Sequence, residues 1–182
     1  MENSSQSVPA VFLDRDGVVI EDRNYAYRIE DLHLIHGAVD AMKQILDRGY
    51  LLVLVTNQTG IARGFFTIAD LEKFHLHLQN KLAASGVELR HIYYCPHFAG
   101  GSVERFAIDC ECRKPKPGML LRAASELGID LKKSFMVGDK ESDVQAGQAA
   151  GCSSILITKE KSLEHGKFAS DLVDAVRRFI VI

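Results

Sequence analysis

The sequence has little net charge, no long apolar run and no sign of a leader. Its 182 residues include 22 basic and 24 acidic side chains, so the formal net charge is −2. A chain this balanced has no broad field that would attract nucleic acid or an anionic membrane. Its apolar runs are too short to span a bilayer, and segment 1–9 lacks the basic and apolar regions of a secretory leader. We expect a cytoplasmic protein with one domain, 1–182.

Short apolar runs alternate with segments of helical periodicity along the chain. The runs are typical of buried parallel strands and lie at 11–13, 51–55, 92–94, 135–137 and 154–157. Apolar residues at helical spacing predict helices at 38–46, 68–82, 119–127, 142–150 and 171–179. Strand and helix alternate throughout, which predicts a doubly wound α/β fold with a mostly parallel sheet. No segment is long enough to form a separate cap domain.

Polar side chains follow the predicted strands at the point where each strand ends. Asp14 and Asp16 come after the first strand, and Gly17 permits a tight bend there. The other polar residues at strand ends are Thr56, Asn57, Asp139 and Lys140. In an open parallel sheet the carboxyl ends of the strands form the ligand crevice, so the sequence predicts a site at this edge.

These residue types suit the transfer of a phosphoryl group to water. A phosphate ester repels a carboxylate nucleophile, so the reaction needs a divalent cation and donors to the phosphoryl oxygens. The predicted magnesium ligands are Asp14, Asp16 and Asp139. The predicted donors and cations are Thr56, Asn57 and either Lys114 or Lys140.

The two aspartates after the first strand have complementary predicted roles. Asp14 attacks phosphorus, whereas Asp16 protonates the departing alkoxide and later takes a proton from the water that hydrolyses the aspartyl-phosphate. Two other interpretations stay open, namely an exposed turn after a strand and a metal-stabilised module that binds phosphate without turnover. A pure binder needs no nucleophile, so loss of hydrolysis in Asp14→Asn would decide against it.

The motifs resemble the haloacid dehalogenase superfamily of aspartate-nucleophile phosphotransferases. The order DRDGV from Asp14, VTNQ from Val55, a lysine after a long insertion and VGDKESD from Val137 carries this resemblance over almost the whole chain. Five segments are similar to the phosphatases that remove the 7-phosphate of D-glycero-D-manno-heptose 1,7-bisphosphate in nucleotide-heptose synthesis for lipopolysaccharide. They are FLDRDG, VTNQTGIARGFF, YYCPH, CECRKPKPGML and MVGDKESD. The resemblance implies a magnesium-dependent hydrolase that acts as a monomer on a phosphorylated sugar.

The same resemblance implies a role for each matching position. It makes Asp14 the nucleophile and Asp16 the acid and base, and it places magnesium among Asp14, the Asp16 backbone and Asp139. Thr56 and Lys114 would stabilise the phosphoryl group. The implied substrate-binding residues are Asp22, Arg23, Asn24, Tyr25, Asn57, Gln58, Thr59, Arg113 and Lys140.

Other substrates stay open within the superfamily. Histidinol-phosphate phosphatases resemble the chain in DRDG, TNQ and the cysteine-containing stretch from Cys95 to Lys116, but GIARG and PGML favour the heptose family. A broad sugar-phosphate phosphatase and a DNA 3′-phosphatase are further alternatives, although no basic and aromatic track for a nucleic-acid backbone is visible. Val18 and Ile20 stand where many relatives have threonine and asparagine, so the shape of the leaving-group pocket and the preferred anomer stay open.

Three of the four cysteines lie in a long irregular stretch after the third predicted strand. Cys95-x-His97 and Cys110-x-Cys112 supply three thiolates and one imidazole, a complete tetrahedral zinc set without an open position. This pattern predicts a structural zinc site that fixes the two residues after its last ligand, and the resemblance implies a zinc loop at the same positions. The alternative is a set of buried thiols, and Cys152 is interpreted as a core residue.

Three further residues carry weaker signals. Arg63 lies in the glycine-framed segment GIARG, where it either binds the second phosphate of the substrate or is a solvated turn residue. His75 and His77 are interpreted as polar positions of the helix 68–82 and receive no role. Without a cap, selectivity is expected to come from the loops after the first two strands and from the zinc loop.

Overall fold

The computed structural model describes residues 7–159 and 166–180, and these residues form one six-stranded sheet. The strands are Ala10–Leu13 (β1), Leu51–Asn57 (β2), His91–Cys95 (β3), Phe135–Gly138 (β4), Ser153–Ile157 (β5) and Lys167–Ala169 (β6). Their order is β3-β2-β1-β4-β5-β6, and every neighbouring pair is parallel. The predicted parallel α/β sheet is confirmed, with a sixth strand too short for the apolar pattern to indicate. Most of segment 1–9, where no leader is expected, lies outside the described residues.

The helices lie close to their predicted positions. They are Ala38–Asp47 (α1), Ile68–Ala84 (α2), Gly118–Leu127 (α3), Glu141–Ala150 (α4) and Leu172–Arg178 (α5), with short 3-10 turns at Ile29–Asp31, Glu104–Phe106 and Leu131–Lys133. A capping box starts α2, because the Thr67 hydroxyl accepts from the Asp70 amide and the Asp70 carboxylate accepts from the Thr67 amide. These reciprocal bonds satisfy donors that the first turn of a helix leaves unpaired.

Apolar side chains cover both faces of the sheet. On β1, Val11 and Leu13 pack into one core while Ala10 and Phe12 pack into the other, and all four are fully buried. Residues of α1, α2 and α5 fill the first core, and residues of α3 and α4 fill the second. Strands covered on both sides have no polar face, which explains why their sequences are continuous apolar runs.

The topology brings the polar strand ends together. The chain leaves β1 toward β2 on one side and reaches β4 on the other, so the strand order reverses beside β1. Ligands of open parallel sheets bind at such a reversal, outside the carboxyl ends of the strands. Asp14 follows β1, Thr56 lies at the end of β2, and Asp139 follows β4, so the fold places these three side chains at one crevice.

The connections on this edge are loops. The part of the chain that the structure describes contains no separate cap domain; the long segments 58–67 and 96–117 contain only a short 3-10 turn. None of its helices combines the length and apolar character needed to cross a membrane.

Candidate active site

Lys114 joins two buried aspartates, one after β1 and one in the first turn of α4. Its Nζ lies 2.6 Å from Oδ1 of Asp14 and 2.6 Å from Oδ1 of Asp143, and it donates to the carbonyl of Val55 at 2.7 Å. Burial acts to lower the pKa of Lys114, but the two carboxylates outweigh it and raise that pKa. The lysine is therefore charged and offsets part of the negative charge of the two acids.

Two glycines allow carboxylates to come close to the backbone of this crevice. Gly17 has a φ of 83°, and a Cβ atom there would lie 2.4 Å from Oδ2 of Asp139. A Cβ atom at Gly138 would lie 2.1 Å from Cβ of Asp143. A larger residue at either position would displace a carboxylate. At Gly17 the positive φ also favours glycine, which explains the bend predicted there.

Asp14, Asp139 and Asp143 form a set suited to a divalent cation. One carboxylate oxygen from each lies within 4.8 Å of the other two. Oδ1 of Asp139 is buried and has no hydrogen-bond partner among the described residues, an arrangement that calls for a water or an ion. Burial raises the pKa of Asp139 to about 6, although Lys140 acts in the opposite direction. Hard oxygen donors with an unsatisfied atom fit magnesium.

The Asp16 carboxylate is not part of this set. Its Oδ2 accepts from Nε of Arg15 at 3.1 Å and from Nε2 of Gln58 at 3.1 Å, and its Oδ1 accepts from Nη2 of Arg15 at 3.0 Å. Burial raises the pKa of Asp16 and outweighs the attraction of Arg15, which suits a general acid. Magnesium binding by Asp16 therefore rests on its backbone carbonyl and stays a prediction.

A cleft of about 240 Å³ adjoins a pocket of about 40 Å³. The cleft is lined by Asp16 and by seven of the nine predicted substrate-binding residues, Asp22, Asn24, Tyr25, Asn57, Gln58, Thr59 and Lys140. The small pocket is lined by Asp14, Asp16, Thr56, Asn57, Lys114, Lys140, Ser142 and Asp143. Asp16 lines both, so the predicted proton donor stands where the two spaces meet.

The cleft rim after β1 has an unusual backbone. Asn24 and Tyr25 have φ values of 50° and 70°, in the left-handed region that a bulky residue such as tyrosine rarely adopts. Oδ1 of Asp22 accepts from the Asn24 amide at 3.2 Å, and the Tyr25 ring packs edge-on against Phe65 with centroids 4.9 Å apart. Nζ of Lys140 pairs with Asp22 at 3.5 Å. Backbone strain held by such contacts is typical of binding loops.

The other two predicted substrate-binding residues do not line the cleft. Arg23 is exposed and pairs with a glutamate two residues earlier at 2.8 Å. The Arg113 guanidinium lies 5.3 Å from the Phe98 ring centre and donates to the His97 carbonyl at 3.3 Å. Arg63 lies over the same ring at 4.4 Å, and its Nε is buried without a partner among the described residues. This placement does not fit a solvated turn residue.

The four predicted zinc ligands come together beyond the end of β3. One atom from each of Cys95, His97, Cys110 and Cys112 lies within 4.8 Å of the others. The Sγ–Sγ distances lie between 3.0 and 3.5 Å, far longer than a disulfide bond. Hydrogen bonding from Cys95 lowers the pKa of Cys112, which favours a thiolate. Three thiols and one imidazole that converge in this way fit a closed, structural metal site.

His75 lies in α2, as predicted, but it is a buried polar residue. Only 6% of its surface is exposed, and its Nε2 lies 3.1 Å from Nη1 of Arg15, which is fully buried. Helical periodicity could not reveal this pair, because the apolar face of α2 is interrupted there to receive an arginine from the loop after β1. His77 is exposed, as predicted.

Asp143 and Ser142 also line the small pocket, and the sequence analysis assigns neither of them a role. The spacing of Asp139 and Asp143, about one helical turn, was the available signal for a third carboxylate. Cys152 is buried in the second core, as predicted. Val18 and Ile20 are buried in the first core and are absent from the residues that line the cleft and the small pocket.

Comparison with known protein families gives a consistent match. The HAD-hydrolase-like family model matches residues 111–176. The D-glycero-beta-D-manno-heptose-1,7-bisphosphate 7-phosphatase of Yersinia pestis is 47% identical over 93% of this chain and 91% of its own length. The enzyme of the same name from Escherichia coli K12 is 48% identical over 85% of this chain and 81% of its own length.

Solved structures with the same architecture are also similar in sequence. The D,D-heptose 1,7-bisphosphate phosphatase of B. bronchiseptica, solved with magnesium and phosphate, has a TM-score of 0.81 and 30% identity, and the match covers 95% of this chain and 98% of that one. A putative HAD-like phosphatase from Mesorhizobium loti has a TM-score of 0.82 and 36% identity, covering 88% of this chain and 78% of that one.

Proposed function

The chain belongs to the HAD-like hydrolases, in the group of the heptose bisphosphate phosphatases, and we propose that it removes the 7-phosphate of D-glycero-D-manno-heptose 1,7-bisphosphate. The observation that carries the proposal is the small pocket lined by Asp14, Thr56 and Lys114 that adjoins the larger cleft at Asp16. A phosphoryl group in the small pocket would place the sugar in the cleft. We place this step in nucleotide-heptose synthesis for lipopolysaccharide.

Asp14 is the nucleophile in the proposed reaction. Its carboxylate forms a bond to phosphorus while the bond from phosphorus to the sugar oxygen breaks, and Asp16 gives its proton to that oxygen. Asp16 then takes a proton from water, whose oxygen forms a bond to phosphorus while the bond from phosphorus to the Asp14 carboxylate breaks. This step releases phosphate and restores Asp14. Thr56 and Lys114 hold the phosphoryl oxygens, since a hydroxyl and an ammonium both donate hydrogen bonds.

Two metals complete the proposed site. Asp14, Asp139 and the Asp16 backbone would hold magnesium, with Asp143 close enough to take part. Magnesium, when bound, supplies positive charge that offsets the repulsion between Asp14 and the phosphoryl oxygens. Zinc at Cys95, His97, Cys110 and Cys112 would be structural and would fix the neighbouring residues of the loop.

The proposed substrate contacts come from the residues that line the cleft and from Arg113 in the zinc loop. Asp22, Asn24, Tyr25, Asn57, Gln58, Thr59 and Lys140 would contact the sugar, and Arg113 would contact the part of the substrate beyond the scissile phosphate. Arg23 would have to leave its glutamate partner to reach the substrate. We also propose that residues 1–182 form one domain that acts as a monomer in the cytoplasm on this soluble sugar, without nucleic acid or membrane.

The test is phosphate release from the α and β anomers of heptose 1,7-bisphosphate and from histidinol phosphate, each with magnesium. A much higher kcat/KM for either bisphosphate is expected and would identify the anomer, and Asp14→Asn should abolish the release. A preference for histidinol phosphate, or equally low activity on all three, would refute the proposed substrate. Retained activity in Asp14→Asn would refute the proposed nucleophile.

A further inference from the structure

Arg15 is the largest fully buried side chain among the described residues, although it stands between the two aspartates of the DRDG motif. An unpaired guanidinium in the interior is very costly, so the partner of each donor matters. Nε and Nη2 donate to the two oxygens of Asp16, and Nη2 also donates to the Ala26 carbonyl at 2.9 Å. The guanidinium carbon lies 4.8 Å from the Phe74 ring centre. Arg15 therefore faces inward and holds Asp16 with a two-pronged contact.

His75 supplies the hydrogen-bond partner of Nη1 of Arg15. Its Nε2 lies 3.1 Å from Nη1, and because a guanidinium can only donate, Nε2 must accept. The ring is then neutral, with its proton on Nδ1. Burial, and after it the charge of Arg15, lowers the pKa of His75 to about 3, which agrees with a neutral ring. The histidine is thus an acceptor that the middle of α2 holds in place.

The contact reaches the catalytic site through Asp16. This residue lines both the small pocket and the cleft, so the orientation of its carboxylate decides whether a proton can reach the sugar oxygen. A general acid must lie within hydrogen-bond reach of the oxygen that it protonates. Gln58 also holds one Asp16 oxygen, since its Nε2 donates to Oδ2 at 3.1 Å and to Oγ1 of Thr56 at 2.8 Å.

We propose that His75 is a positioning residue that acts through Arg15 to orient Asp16 for proton transfer to the leaving oxygen. His75 itself touches neither substrate nor metal in this assignment. The inference rests on the proposed phosphatase function, in which Asp16 is the acid. With His75, helix α2 joins the elements that position the general acid Asp16, in addition to covering one face of the sheet.

The test compares two leaving groups in single-turnover phosphorylation of the enzyme. Departure of a sugar alkoxide needs a proton, whereas departure of p-nitrophenolate does not. His75→Leu keeps the volume and removes the acceptor, so it should slow phosphorylation by the heptose bisphosphate at least about tenfold. The rate with p-nitrophenyl phosphate should change less than about threefold. His75→Gln, whose amide oxygen can accept from Arg15, should recover most of the sugar-phosphate rate, with KM nearly unchanged.

His77→Leu is the matched control, because His77 is exposed on the same helix, and it should match the wild type with both substrates. Should His75→Leu fail to fold, Arg15→Lys keeps a cation and loses the two-pronged contact, and it should show the same difference between substrates. Equal losses with both substrates, or no loss with the sugar phosphate, would overturn the proposal. Wild-type protein that fails on heptose bisphosphate would instead refute the substrate, and the comparison could still be made with any alkyl phosphate that it hydrolyses.

Discussion

The strand-end site, made of Asp14, Lys114, Asp139 and Asp143, contrasts with the cysteine cluster of Cys95, His97, Cys110 and Cys112. The carboxylates of the strand-end site follow or adjoin buried parallel strands, and one lysine offsets part of their charge. Three ligands of the cysteine cluster lie in a loop with little regular structure, where the thiols and imidazole chiefly contact one another. The apolar core positions the first group. The second group would be held by the proposed metal ion, whose binding energy would offset the ordering entropy of the loop.

The two regions meet at Lys114, which lies two residues after Cys112 and yet belongs to the strand-end site. Nδ2 of Asn57 donates to the Lys114 carbonyl at 3.0 Å, and the Lys114 amide donates to Oδ1 of Asn57 at 3.1 Å. The end of β2 thus fixes the backbone of the lysine, and the last ligand of the cysteine cluster lies two residues before it.

The largest effect is expected from Lys114→Met, which breaks the strand-end site at its cation. It leaves Asp14 and Asp143 buried beside each other, and removal of one partner from a buried charge pair typically costs about 3–5 kcal/mol. Activity should fall by roughly 10³-fold, because the phosphoryl oxygens lose a charged donor. Phosphate release and urea unfolding measure the two effects.

Lys116→Met is the matched control for this change. Lys116 is more exposed and pairs with Asp109 and Glu111 at the surface, and surface ion pairs contribute little. Near-normal activity in Lys114→Met would show that the buried lysine is not part of the catalytic site.

The next effect is expected from Cys112→Ser, which weakens the cysteine cluster next to Lys114. Bound zinc should be lost, and activity should decrease at least about tenfold because the loop no longer fixes the lysine. Metal analysis and phosphate release on the same samples check both points. Cys152→Ser, which changes a buried cysteine far from the cluster in sequence, should keep its zinc. Full activity in zinc-free protein would show that the strand-end site does not depend on the loop.

The same contrast explains what could be predicted from the sequence. Continuous apolar runs predict five of the six strands, and the polar residues after them predict a candidate site, because a parallel sheet brings its carboxyl ends together. The pair of Arg15 and His75 cannot be predicted in this way. The hydrogen-bond partner of a buried arginine depends on contacts between segments that are distant in sequence. β6 was missed because a strand of three residues carries almost no periodicity. The cysteine cluster was found through its ligand types, independently of any strand or helix.

A smaller effect is expected from pH, which should change the magnesium affinity of the strand-end site. The pKa of Asp139 is raised to about 6, mainly by burial, so protons compete with magnesium below that pH. The affinity for magnesium should fall about tenfold for each pH unit below 6 and should level off above it. Calorimetric titration of magnesium between pH 5 and pH 7 measures this dependence. The variant Asp139→Asn lacks the titrating carboxyl and should not show the dependence. An affinity that does not change over this range would contradict the assignment of Asp139 as a ligand.

The smallest effect is expected from Arg63→Gln at the edge of the zinc loop. Arg63 and Arg113 share the Phe98 ring, so removal of one cation should raise KM for a bisphosphate by a few-fold, about 1 kcal/mol or less, and leave kcat nearly unchanged. Arg105→Gln is the control, because Arg105 lies over Phe106 in the same loop but is exposed. An equal change in KM for a monophosphate would argue against recognition of the second phosphate.

The central claim, a covalent phosphoryl group on Asp14, can be tested directly by rapid acid quenching. Enzyme mixed with heptose bisphosphate and magnesium is quenched within one turnover, digested and analysed by mass spectrometry. The account predicts a phosphoryl group on the peptide that contains Asp14 and none on that peptide in Asp14→Asn. Rapid phosphate release with Asp14 unmodified throughout, or a phosphoryl group on another residue, would contradict it.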